Sequence, residues 1–342
     1  MSLTNKNLAA ARRTIAKEVG KDALASFHES NIFLDVLAVF SILFFFFSMM
    51  TALALLPFGW LWALCFIGQG FSLQWMALVS HDIFVHRGVG GKHLSWLGSM
   101  LLTVPRFSLP SGYREAHLAH HRHIATDRDT EKYKQDLNTR WRRFLFSTFI
   151  GAKMAQAGKF SEEAQSGKDV KHYRAVDTRN PELRQQVQRE QTIQKAFLLA
   201  LLVGAVVFPK FILLGYILPV FLIGPFSNTL RIIIEHGETN PDNPYHIATF
   251  YKTGPISRFV FFWDAGDCHL IHHLYPCIPY YRIGAALKAM RPILLRHGVV
   301  ERYSFWWLLK GWYVDNYGHR TLWPQEPMTT IQEPKGILAD PA

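Results

Sequence analysis

The apolar residues of this chain fall into long runs rather than short alternating ones. From Ile32 to Ser80 there are 49 consecutive positions without Lys, Arg, Glu or His, and Asp35 is the only charge among them. A soluble core helix needs no such run, whereas about 20 apolar residues span a bilayer. Pro57, Phe58 and Gly59 break the run and turn the chain. The pattern therefore predicts crossings over residues 33–56 and 60–80, with Trp60 and Trp62 at the interface where indole rings concentrate. A second pair is predicted over 193–208 and 211–230, divided at Pro209 and Lys210. Its first apolar arm, Ala196 to Phe208, is short. It takes length from the preceding QREQTIQK segment, with Lys195 snorkelling to the interface. Trp96 to Val104 has about half the required length and reads as interfacial or re-entrant. No repeat at a solenoid or propeller period is visible.

The polar segments supply the orientation. Segment 1–31 carries five Lys and Arg, 81–195 carries twenty and 231–342 carries eleven; the turn at 57–59 has none and the other has only Lys210. An even number of crossings puts all three basic segments on one side, and the positive-inside rule makes that side cytosolic. Residues 1–31 form a polar amino-terminal segment without the apolar core of a cleaved signal. The segment is expected to lie as an amphipathic helix on the membrane surface or as a solvated one. Residues 301–342 form a carboxy-terminal cytosolic tail. The net charge of +11 fits a basic membrane protein, and nucleic acid is not needed to explain it. Charged residues make up 18% and aromatic residues 14% of the chain, which excludes a disordered class. Cys65, Cys268 and Cys277 are too few and too scattered for a disulfide framework and are expected to be reduced thiols.

The candidate chemistry lies in the histidines. Of sixteen in the chain, most are grouped. His81 and His86 form HDIFVH at the end of the second crossing. His117, His120 and His121 form HLAHH, and His269, His272 and His273 form HLIHH. His236 stands alone in EHGE after the fourth crossing. Two chance copies of HxxHH are expected on the order of once in a thousand chains of this composition. On a helix, positions i, i+3 and i+4 share a face, so HxxHH presents three imidazoles in one direction. The first pair, spaced by five, is about 140° apart on an ideal α-helix. It converges only if the helix ends or distorts there. Nine imidazoles exceed what one zinc takes and match two metals with four or five ligands each. His28, His93, His172, His246, His297 and His319 read as ordinary surface or core residues. His123 lies beside the second cluster but off its pattern.

HxxxxH, HxxHH, a single histidine after a second hairpin and a final HxxHH together resemble the membrane fatty acid desaturase superfamily. HHRHIATDRDTEKY after the second cluster and HHLYPCIPYYRI at the third add to the resemblance, which covers about residues 32–300. It implies an all-α integral membrane protein, with four transmembrane helices in two hairpins and a cytosolic helical cap carrying the histidines. It also implies two non-haem irons with O2 as co-substrate. By resemblance, one iron takes His81, His86, His117, His121 and His273, and the other takes His120, His236, His269 and His272. Relatives place an Asn one turn before the single histidine. This chain has Ile232 there, leaving Glu235 or Glu238 to complete that shell. No HPGG haem motif occurs, so electrons come from a separate ferredoxin- or cytochrome b5-like protein.

The leading expectation is desaturation of a lipid acyl chain. A hydroxylase or ketolase acting on an acyl chain, carotenoid or other hydrocarbon is the alternative. A histidine-rich metal transporter would hold its ligands at the bilayer midplane, but here they lie outside the apolar runs. Asp82, Glu235, Asp264 and Asp267 are candidates to hold ligand N–H groups. Phe259, Phe261, Phe262 and Trp263 are candidates for an acyl tunnel. Arg87, Arg114 and Arg122 could meet a head group or face anionic lipid.

Overall fold

The computed structural model describes residues 3–124, 129–130, 148, 180–236, 243–259 and 268–301. Among these the secondary structure is helical, with no β-strand. Helix α3 (Ile32–Leu55) starts where the Asn31 side chain accepts from the N–H groups of Phe33 and Leu34, an N-cap that satisfies two otherwise orphaned donors. One stripe of α3, Ala38, Ile42, Phe46, Met50 and Leu53, is buried, while Phe33, Phe40, Phe44 and Phe47 are exposed. The helical spacing thus sorts the apolar residues into a face packed on protein and a face suited to lipid.

Helix α4 (Trp60–Ser80) is the enclosed element, with every residue from Gln69 to Ser80 buried. At one end the Trp62 indole donates to the Leu53 carbonyl. At the other, Arg87 pairs with Asp35. Helix α5 (Gly91–Thr103) covers the predicted interfacial piece and, at 13 residues, is too short to cross. It buries Ser99, Met100 and Leu102 and exposes Leu94, Leu97 and Leu101.

Helix α6 (Pro110–His123) carries the second histidine cluster. Helix α7 (Pro181–Val207) starts well before residue 193 because Asn180 caps a polar stretch of good helix formers. That extension supplies the length the short apolar arm lacks. Helix α8 (Lys210–His236) runs past residue 230 to the single histidine, opening with a π-helical stretch, Lys210–Ile217. A Cβ at Gly215 would lie 2.8 Å from the Met50 carbonyl oxygen, so glycine permits the contact between α8 and α3. By length and composition, four helical segments can cross a membrane: Lys21–Leu55, Trp60–His86, Pro181–Val207 and Lys210–His236.

The amino-terminal segment departs from expectation. Helix α1 (Leu3–Val19), followed by the short α2 (Lys21–Phe27), packs one face on protein. It buries Leu8, Ala11 and Ile15 in one core with Ile271 and Leu274 of α9 (His269–Leu274) and Ala286 and Met290 of α10 (Ile283–Arg296). Arg12 donates to the His273 carbonyl at 2.9 Å, and Tyr275 donates back to the Arg12 carbonyl at 2.7 Å.

Candidate metal centre

Four elements deliver histidines to one place. The helix of α4 continues beyond Ser80 as a π-turn, His81–His86. Its hydrogen bonds run between i and i+5, so residues five apart stack on one side. This distortion resolves the spacing of the first pair: His81 Nε2 and His86 Nε2 are 3.1 Å apart. α6 presents His117, His120 and His121, the end of α8 presents His236, and α9 presents His269, His272 and His273.

The nine rings sort into two groups. His81, His86, His117, His121 and His272 form the first. Within it Nε2 atoms lie 2.7 Å apart for His81 and His117, 2.9 Å for His117 and His121, and 3.1 Å for His121 and His272. His120, His236 and His273 form the second, and His269 joins it through Nε2 contacts of 2.9 Å to His236 and 3.1 Å to His273. This corrects the division implied by resemblance, which exchanged His272 and His273. On α9, His269 and His273 are one turn apart and their Nε2 atoms meet. The His272 ring turns instead towards His81 and His86, at centroid distances of 4.6 and 4.7 Å. Each HxxHH therefore gives its outer pair to one group and its middle histidine to the other.

The spacing fits a metal. Ligands at right angles around an ion at about 2.1 Å stand roughly 3 Å apart. Protons alone cannot satisfy the triangle of His81, His86 and His117, with Nε2 edges of 2.7, 3.1 and 3.1 Å, because each neutral ring has a single N–H. His120 Nε2 is buried with no hydrogen-bond partner among the described residues. Burial, then neighbouring imidazoles, lowers the pKa of His121, His272 and His273 well below the usual histidine value. Neutral imidazole is the ligand form.

The profile of the fatty acid desaturase family matches residues 59–305. The chain belongs to that family. No curated protein matches it. Membership makes the chain an oxidoreductase of a family acting on lipid acyl substrates in membranes, and its histidine groups can hold a metal cofactor.

Around the centre of this desaturase-family chain stand further polar residues, of which the sequence pointed to Glu235 but not to Asp129, Glu190 or Thr249. Asp129 Oδ1 accepts from His120 Nδ1 at 2.8 Å, both side chains being buried. The buried Glu190 of α7 accepts from the Ser111 N–H and hydroxyl in the first turn of α6, at 3.1 and 2.5 Å, and from the Trp96 indole at 2.9 Å. Asp129 lies within the HHRHIATDRDTEKY motif. Nothing in the polar stretch around Glu190 marked that residue. Glu235 accepts from Arg231 at 2.6 Å and faces the outer nitrogen of His269 at 3.6 Å, beyond a direct hydrogen bond. Its carboxylate also lies close enough to His236 and His269 to form a further candidate metal group with them, as expected for a residue completing that shell. Thr249 ties α8 to α9: its hydroxyl donates to the Ile234 carbonyl at 2.6 Å, and its own carbonyl accepts from Leu270 N–H.

Several expectations are redirected. Asp82 pairs with Arg87, and no contact with a histidine is seen among the described residues; the Arg87 side chain is buried between Asp82 and Asp35. Arg114 and Arg122 are exposed. His123 is half-buried and stands in neither group. His28 contacts the Leu24 carbonyl, His246 contacts the Gly298 carbonyl, and His297 stacks on Tyr245. Cys65, Cys268 and Cys277 are free thiols. His172, Glu238, Phe261, Phe262, Trp263, Asp264, Asp267 and His319 lie outside the described residues, as does the side chain of Ile232. A cavity of about 630 Å³ is lined by Lys252, Arg258, Arg291, Phe259, Tyr280 and Leu287, among others. The Phe259 ring is 5.0 Å from that of Trp75 on α4, which links the cavity wall to the helix leading to His81.

Proposed function

We propose that this protein is an O2-dependent di-iron desaturase that introduces a double bond into a lipid acyl chain. The convergence of nine imidazoles into groups of five and four carries this reading. Nine imidazoles exceed one zinc, the five-membered set exceeds the four ligands a zinc site takes, and imidazole suits paired irons. The first iron falls to His81, His86, His117, His121 and His272, and the second to His120, His236, His269 and His273. Four crossings in two hairpins, with the histidines in a cap on the Lys- and Arg-rich cytosolic side, are part of the same reading.

Bound there, the irons would supply O2-dependent removal of hydrogen from an unactivated C–H bond. In balance, two adjacent methylenes lose one hydrogen each. A separate ferredoxin- or cytochrome b5-like donor gives two electrons, two protons enter, and O2 leaves as two waters. The chain's own residues hold and shield the centre. Asp129 keeps the His120 proton on Nδ1 and leaves Nε2 pointing inward. Ile83, Ile234, Leu270 and Ile271, neighbours of the histidines in sequence, are buried and help to exclude water. The cavity beside Phe259, where Glu301 pairs with Arg291 and Lys252 and Arg258 add positive charge, is suited to the polar end of an acyl substrate.

The test is the lipid profile of cells with and without the gene, together with metal analysis of the purified protein. About two irons per chain and a product lighter by two hydrogens are expected. A product heavier by one oxygen would make the protein a hydroxylase, and absence of iron would overturn the di-iron reading.

A further inference from the structure

The π-turn that brings His81 and His86 together also places a second pair at the same spacing, with Asp82 inside the turn and Arg87 as its C-cap. Asp82 Oδ2 accepts from Arg87 Nη2 at 2.8 Å. In an α-helix, positions 82 and 87 would be about 140° apart and displaced by roughly 7.5 Å along the axis. In the π register they stack. The ion pair therefore forms in the same register that aligns the two histidines. Arg87 is also held from outside. Its Nη1 and Nη2 reach the two Asp35 oxygens at 2.9 and 2.5 Å, Nη1 reaches Ser30 Oγ at 3.2 Å, and its guanidinium lies over the Tyr281 ring. The Arg87 and Asp35 side chains are 4% and 2% exposed. A fork of this kind, with two carboxylates on one guanidinium, fixes direction as well as charge.

We propose that Asp35, Asp82 and Arg87 form a register lock that holds residues 81–86 in the π-turn, so that both histidines face the first metal group. Arg87 and its partners are positioning residues, acting through His81 and His86 without touching the metal. The lock also ties the start of α3, a membrane-spanning helix in the proposed topology, to the metal group. An α-helical turn here would bring position 85 beside His81 in place of position 86.

The lock rests on the two-metal reading, and its test is cobalt titration of the purified protein in detergent, followed by visible absorption. The wild type must first take up two cobalt ions; failure there would sink the two-metal reading rather than the lock. Asp82→Asn and Arg87→Met are each expected to weaken cobalt at the first group by about 10–100-fold, the usual cost of losing a group that orients a ligand. The second group should keep its affinity and spectrum. The register is tested by moving the ligand back one position, Val85→His with His86→Val. This exchange should weaken first-group cobalt in the wild type and restore part of it in Arg87→Met. Two unperturbed cobalt sites in both single variants would overturn the lock. So would a loss in Arg87→Met that the ligand shift does not improve. If Arg87→Met fails to insert in membranes, the same comparison in Asp82→Asn decides.

Discussion

His120 donates its Nδ1–H to the Asp129 carboxylate across 2.8 Å, while its other nitrogen is buried among histidines of the second group. A carboxylate only accepts, so this contact selects the tautomer as well as the ring orientation. Asp129→Ala should lower metal affinity by about 10–100-fold with insertion intact. Iron content measured against free iron concentration checks this. Unchanged affinity would remove Asp129 from the centre.

Alanine at any of His81, His117, His120, His121, His269, His272 or His273 should abolish product formation while the protein still reaches the membrane. His93→Ala, at an exposed position on α5, should be nearly neutral. Product analysis by mass spectrometry decides, and full activity in two or more of the seven variants would defeat the di-iron assignment.

His236 carries no motif, yet it closes the second group on His269. His236→Ala should reduce iron to about half of the wild-type content and abolish turnover, since a metal site depends on its ligand count. If the variant kept both irons and near-normal turnover, the ninth ligand would lie elsewhere.

The Glu190 carboxylate gathers three donors from two other helices, Ser111 N–H, Ser111 Oγ and Trp96 Nε1. Glu190→Ala should orphan them, each at about 1–3 kcal/mol, and should loosen the start of α6. A drop in thermal midpoint in detergent, larger than for Glu190→Gln, is expected. Equal midpoints for the two variants would show that the acceptor does not matter.

Lys252→Glu and Arg258→Glu, at the cavity beside Phe259, should raise KM for an anionic acyl substrate more than they lower kcat, because they act on the bound polar end. A fall in kcat alone would place these residues outside substrate binding.

The sequence made the spans and histidine clusters legible because both have short periods. Ala38, Ile42, Phe46 and Met50 repeat at helical spacing, and HxxHH is a single-turn pattern. What escaped depends on contacts between distant segments or on local backbone distortion. Glu190 meets Ser111 across 79 positions, and Arg12 meets His273 across 261. Nothing in HDIFVH alone specifies a π-turn, and the division of His272 and His273 depends on which neighbours α9 faces.

The union of Arg12 with His273 and Tyr275 makes the amino end a strut for the third histidine cluster. To the eye, the first twenty residues are the part an experimenter would trim or fuse to a tag without concern. A shortened or encumbered start would take Leu8, Ala11 and Ile15 from the core that backs α9. The damage would show first as metal-poor protein, still inserted in the membrane and scored as inactive for a reason far from the edit.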